Sequence, residues 1–288
     1  MMMFNIIQDI LLVKKILSFT DKQLADTIGV SRSTLNRWIK GESKINYKMV
    51  DIIYSFIYKN NIDINAIKSQ LYIEDYKKNN HAVLFHGAKD EIVGDFDLNH
   101  SKNDNDFGKA LYFGESLEQS AMYVSHYKKS SIYIVDANLN GLKGINFDVD
   151  LRWMLAIALY RGRLEEYKDS KLLTEIKKEI EKADYIVAPI ADNKMFSIIN
   201  NFIDGELTDE QCCHCLSATD LGKQYVIKTE KAIKQLKIID RLYMCDSEKE
   251  SYLKEREESV KLGNDKVKAA RIKYQNVGKY IDVILGEK

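Results

Sequence analysis

Apolar positions recur every three or four residues through the first seventy of the chain. They then give way to short apolar runs between polar loops, and finally to a charged stretch. Ile6, Ile10, Val13 and Leu17 share one helical face, with Leu11 beside them, and predict a first helix ending near Phe19. Thr20 followed by Gln23 is a capping-box pattern. The helix it opens, 22–28, keeps Leu24, Ala25 and Ile28 inward before Gly29 closes it. Ser31 caps a third helix, 32–40, with Leu35 and Trp38 inward and Gly41 at its end. Further helices are expected near 47–58 and 62–71, completing an all-α domain over 1–71. Residues 72–80 are polar and aperiodic and read as a linker.

Beyond the linker the period changes. Ala82–Phe85 is a short apolar run ended by His86-Gly87, and Ala110–Phe113 is another, with Ser116 capping a helix over 117–127. Residues 131–136 alternate as a strand. Helices are expected over 147–163, with Leu151, Leu155, Ala158 and Leu159 on one face, and over 171–182. Tyr185–Val187, before Pro189, and Gln224–Ile227 read as strands; 196–202, 209–216 and 230–236 read as helices. Short, irregularly spaced strands with inserted helices argue for α+β over 81–240 rather than a doubly wound parallel sheet. Neither a Gly-x-Gly-x-x-Gly nor a P-loop motif is present. Residues 241–288 form a helical C-terminal extension: charged and solvated over 252–273, then an apolar stripe (Val277, Tyr280, Ile281, Ile284) over 277–285.

Composition narrows the class. The chain has 288 residues, 45% apolar and 30% charged, and a formal net charge of zero, which suits a globular protein with more than one core. No apolar run is long enough to span a membrane. The charge is uneven, because residues 1–70 hold ten Lys/Arg against six Asp/Glu. Four cysteines, three of them at 212, 213 and 215, make no disulfide framework, and a cytoplasmic location is expected. Cys212-Cys213-His214-Cys215 is too compressed to surround one tetrahedral ion, so these are read as small core residues and no metal is expected.

The segment Gln-Leu-Ala-Asp-Thr-Ile-Gly-Val-Ser-Arg-Ser-Thr-Leu-Asn-Arg-Trp, residues 23–38, resembles the phage-repressor (Cro/CI) type of helix-turn-helix. Burying Leu35 and Trp38 leaves Arg32, Ser33, Asn36 and Arg37 outward, with Lys40 nearby. Those residue types bond base edges and phosphates, so DNA is the expected partner of this head.

Four further motifs occur in order. They are His86-Gly87 at a strand end, Asp106-Phe107-Gly108-Lys109 leading to Tyr112, Ala191-Asp192 after a strand, and Gln224 opening a late strand. Together with the Trp153…Arg161 helix they resemble the ADP-ribosyltransferases of the H-Y-E/D/Q branch, within it a small bacterial family found near toxin–antitoxin and phage-defence genes. The resemblance covers about 81–240. It implies a split-sheet fold, NAD as substrate and a macromolecular acceptor, protein or nucleic acid. It also implies catalytic roles for His86, Tyr112 and Gln224, with Tyr112 stacking on nicotinamide, His86 bonding a ribose and Gly87 meeting nicotinamide through its backbone. Asp106, Phe107, Gly108, Lys109, Arg161 and Asp192 complete the implied NAD-binding set, Arg161 and Lys109 as counterions for the pyrophosphate.

Gln224 departs from the glutamate of better-known branches: an amide accepts a hydrogen bond but takes no proton. Any proton removal then falls to Asp192 or Asp106, or the acceptor is already nucleophilic. Two alternatives follow: a transcriptional regulator that senses NAD, or a toxin–antitoxin interaction scaffold. An antitoxin or a second copy of the chain is a candidate partner for the tail.

Overall fold

The computed structural model describes residues 5–99, 101–218 and 221–286. The elements run α1 (Ile6–Ile16), α2 (Asp21–Thr27), α3 (Arg32–Ile39), α4 (Tyr47–Lys59), α5 (Ile64–Asp75), β1 (His81–Ala88), β2 (Leu111–Gly114), α6 (Leu117–Val124), β3 (Ser131–Asn138) and β4 (Gly144–Asn146). They continue α7 (Leu151–Tyr160), α8 (Lys171–Glu181), β5 (Tyr185–Pro189), α9 (Asn193–Ile203), α10 (Asp209–Ser217), β6 (Lys223–Ile227), α11 (Glu230–Ile233), β7 (Leu236–Leu242), α12 (Asp246–Lys273) and α13 (Ile281–Leu285). The chain divides into two compact units. One holds the residues up to Gly94 with Ser116–Asp136 and Lys237–Glu255; the other holds Asp95–Glu115, Ala137–Leu236 and the residues from Arg256.

In the first unit the helix-turn-helix forms as its caps dictate. The Thr20 hydroxyl accepts from the Gln23 N–H at 3.2 Å, and the Gln23 side chain accepts in return from the Thr20 N–H at 2.9 Å. Ser31 accepts from Thr34 N–H at 3.1 Å, and Gly29 takes φ 75° in the turn between α2 and α3, where a side chain would be strained. Leu35 and Trp38 are buried with Leu24, Ala25, Ile28, Val50, Ile53 and Tyr54. Tyr243 and Cys245, from the segment before α12, close this core, with the Tyr54 and Tyr243 rings 5.1 Å apart. A buried ionic cluster adds to it: Lys68 Nζ on α5 sits 3.1 Å from Asp9 Oδ1 on α1 and 2.8 Å from Asp240 Oδ2 on β7.

The same unit carries β1, β3 and β7, hydrogen-bonded in that order, with α6 packed on β1. Phe85, Leu117, Ala121, Val124, Ile132 and Ile134 form its second core. Two expectations change here. The aperiodic stretch begins only after Asp75, because α5 runs through the first four residues read as linker. β7 lies where the sequence pattern showed no strand; the helix expected over 230–236 stops at Ile233.

The second unit is a mixed sheet of strands in the order β4-β5-β6-β2, with β4 and β5 parallel and the other two pairs antiparallel. The register sets Tyr112 opposite Val226 and Gly114 opposite Gln224. Side chains two apart on a strand share a face, so Tyr112, Val226 and Gln224 project to one side, with Ile186 and Ala188 of β5. Val226, Ile186 and Ala188 are buried there with Trp153, Leu155 and Ile157 of α7 and Ile199 and Phe202 of α9. α7 starts at Leu151 rather than 147 because Asp150 caps it, accepting from Trp153 N–H at 2.8 Å. Cys212 and Cys215 are fully buried in this core.

The tail also lies on the second unit. Val267 and Ala270 of α12 join its core, and Gln211 Nε2 donates to the Arg271 carbonyl at 2.7 Å. The helix expected over 277–285 shrinks to α13. Asn276 and Gly278 turn with φ 62° and 95°, and the Lys279 backbone binds Asp209 instead, through bonds of 2.6 and 2.9 Å. Of the apolar stripe, Ile281 is buried while Val277 and Tyr280 stay exposed.

Candidate functional site

Tyr112 is half-buried on β2 with its ring against the core. Its hydroxyl donates to the Gly108 carbonyl at 2.8 Å and accepts from the Phe107 N–H at 3.1 Å. The phenol therefore ties down the loop that precedes its own strand. Burial pushes its pKa well above the ordinary tyrosine value, so it stays a neutral donor. Gly108 has φ 75°, and a Cβ there would come within 3.0 Å of the Tyr160 ring, so the loop needs glycine for both conformation and space.

Phe107 is fully buried, its ring 5.6 Å from that of Phe147. Its N–H is taken by Tyr112, and its carbonyl accepts from Lys228 Nζ at 2.9 Å. Phe107, expected among the NAD-binding residues, is placed here as a buried anchor of the loop. Lys228 escaped sequence reasoning; it is half-buried at the end of β6 over the Tyr160 ring, and burial lowers its pKa.

Asp106 joins three parts of the second unit. Its Oδ1 accepts from Arg161 Nε at 2.9 Å and also from Nη2; its Oδ2 accepts from Gln224 Nε2 at 3.0 Å. Arg161, just past α7, also donates to the Ala191 carbonyl at 3.2 Å and stacks 4.2 Å over the Phe196 ring. Arg161, expected as a pyrophosphate counterion, is thus paired with Asp106 in this structure. Gln224 is buried, and Nε2 donates a second bond to the Pro189 carbonyl at 3.2 Å. With both amide hydrogens on acceptors, Oε1 is the acceptor Gln224 presents. Asp192 is half-buried and caps α9, accepting from Met195 N–H at 2.8 Å. Lys109 is exposed.

The second unit therefore gathers Asp106, Tyr112, Arg161 and Gln224 on linked partners, with Asp192 next to Ala191. His86 and Gly87 belong to the first unit, on β1, where His86 is half-buried. Gly87 has a packing reason of its own: a Cβ would lie 2.7 Å from Val124 Cγ1 on α6. On the head, Arg32, Ser33, Arg37 and Lys40 are exposed and Asn36 is half-buried, one polar face along α3. Among the described residues no cluster of His, Cys, Asp and Glu is arranged to hold a metal, and no helix is long and apolar enough to cross a membrane.

These features define a mixed α+β protein with a helix-turn-helix at its start. Residues 15–53 match the helix-turn-helix family of this type. Residues 82–238, more than half of the chain, match the family described as "Protein of unknown function (DUF3990)", and the chain belongs to that family. No curated protein and no solved structure matches the chain.

Proposed function

We propose that this chain is a mono-ADP-ribosyltransferase that takes NAD as substrate and carries a DNA-binding head, an effector of toxin or phage-defence type. The observation that carries the reading is the pairing of Tyr112 and Gln224 on one face of adjacent strands, with Gln224 Oε1 turned out as an acceptor by Asp106 and Pro189. These are two of the three residue types whose order gives the resemblance.

The reaction breaks the C–N bond between nicotinamide and ribose. The electron pair leaves with nicotinamide, and an acceptor nucleophile bonds the ribose carbon. An acceptor oxygen beside a ribose hydroxyl orients the sugar and stabilises the positive charge that develops on it. Gln224 supplies that oxygen and Tyr112 an aromatic surface. Gln224 takes no proton, and both oxygens of Asp106 are engaged. The acceptor is therefore nucleophilic as it arrives, or Asp192 removes its proton. On α3, Arg32, Ser33, Asn36, Arg37 and Lys40 contact DNA.

The amide at 224 favours a second reading, a regulator that binds NAD without consuming it. Labelled NAD incubated in turn with lysate, DNA and RNA tests both. Free nicotinamide with label on one acceptor supports transfer. Binding without consumption supports sensing, and neither binding nor consumption overturns the NAD reading.

A further inference from the structure

We infer that Asp106 is a positioning residue that fixes which way the Gln224 amide faces, and that the substrate group meeting Gln224 must therefore be a hydrogen-bond donor. The catalytic consequence rests on the NAD reading above; the geometry does not.

Gln224 Nε2 lies 3.0 Å from Asp106 Oδ2 and 3.2 Å from the Pro189 carbonyl. Rotating the amide would set Oε1 against both acceptors, exchanging two hydrogen bonds for two repulsions in a buried place. Asp106 is itself held, since Arg161 donates to its other oxygen while fixed by the Ala191 carbonyl and the Phe196 ring. Side chains from three distant segments thus form one line, Arg161–Asp106–Gln224, in which each donor meets an acceptor. At its end stands an amide oxygen, which takes a bond from a hydroxyl and repels a phosphate or carboxylate oxygen.

The arrangement also explains an amide at 224. A glutamate there would bring two carboxylates within about 3 Å, and one would have to hold a proton. Asparagine at 106 fails in the opposite way. Arg161 keeps its oxygen, its amide nitrogen meets Nε2 of Gln224, and the glutamine is driven to turn. Exchanging both residues restores a donor facing an acceptor. The introduced asparagine amide then donates to the introduced carboxylate, whose other oxygen faces outward, and the Pro189 carbonyl is the one mismatch left.

The test compares the full chain with D106N, Q224E and D106N/Q224E, measuring kcat and KM for nicotinamide release and the midpoint of thermal unfolding. Loss of a preorganised hydrogen bond predicts kcat down by about 100-fold in D106N, with a smaller change in KM. The double variant should recover about tenfold over D106N, because the pair is coupled. Wild-type kcat in D106N, or a double variant no better than the worse single, overturns the inference. If the native chain neither binds nor cleaves NAD, the NAD reading fails and the unfolding midpoints decide. A double variant more stable than Q224E keeps the pairing, and additive losses overturn it.

Discussion

Glu248, in the first turn of α12, is 4% exposed. Its two oxygens accept from Asn65 Nδ2 at 2.9 and 3.1 Å, which relieves only part of the cost of burying a carboxylate. Burial raises the carboxyl from the ordinary 4.5 to about 8. An acid raised on folding binds more protons in the folded chain than in the unfolded one between those values. The contribution of Glu248 to stability is therefore greatest below about pH 4.5, falls as pH rises through the window and levels off above about pH 8. At about 1.4 kcal/mol per pH unit the total is on the order of 4–5 kcal/mol, a large share of a typical stability. Glu248→Gln removes the ionisation while leaving one oxygen for Asn65. The native chain and the variant should be unfolded in urea at pH 5, 6.5 and 8.5, following the helical signal. The variant is expected to lose less stability between pH 5 and pH 8.5 and to be the more stable protein at the upper end. Parallel curves would refute the reasoning, since Glu248 would then ionise alike in the folded and unfolded chains.

Lys68→Met leaves Asp9 and Asp240 buried without their cation, and should cost on the order of 3–5 kcal/mol by denaturant titration at pH 7. Lowering the pH should recover part of that loss as the carboxylates are protonated; a loss under about 1 kcal/mol would contradict the account. Arg32→Ala with Arg37→Ala should weaken binding to the chain's own upstream DNA. It should also lower the salt dependence by about 0.9 for each phosphate no longer neutralised, measured by gel shift across salt concentrations. Unchanged binding would remove α3 as the contact face.

The parts of the fold legible in the sequence are those decided locally. Thr20 with Gln23, Ser31 and Gly29 announce α2 and α3 because each cap is closed within three or four residues, and Leu35 and Trp38 follow from helical spacing alone. β7 was illegible because Lys237, Asp240 and Arg241 break its apolar pattern. Asp240 tolerates burial because Lys68 and the Tyr72 hydroxyl, from a helix far back in the chain, meet it beside the Arg241 N–H. β4 has three residues, too few to show a period. In the candidate site, Tyr112, Gln224 and Arg161 stood out by residue type and order, whereas the partners of Arg161 and the whole role of Lys228 did not. Those two cations depend on Asp106 and the Phe107 carbonyl, partners that strand register and helix packing supply. The same dependence buries Phe107 and cuts short the terminal helix, where Asp209 captures the Lys279 backbone.

The proposed activity is breakage of the nicotinamide–ribose bond with Gln224 as the orienting acceptor. Free nicotinamide should be followed over time with the purified chain at high concentration, beside a folded Gln224→Ala variant that keeps the Asp106–Arg161 pair. Steady release is expected from the native chain and about 100-fold less from the variant. Equal release by both proteins, or none by the native chain at any NAD concentration, would contradict the proposal.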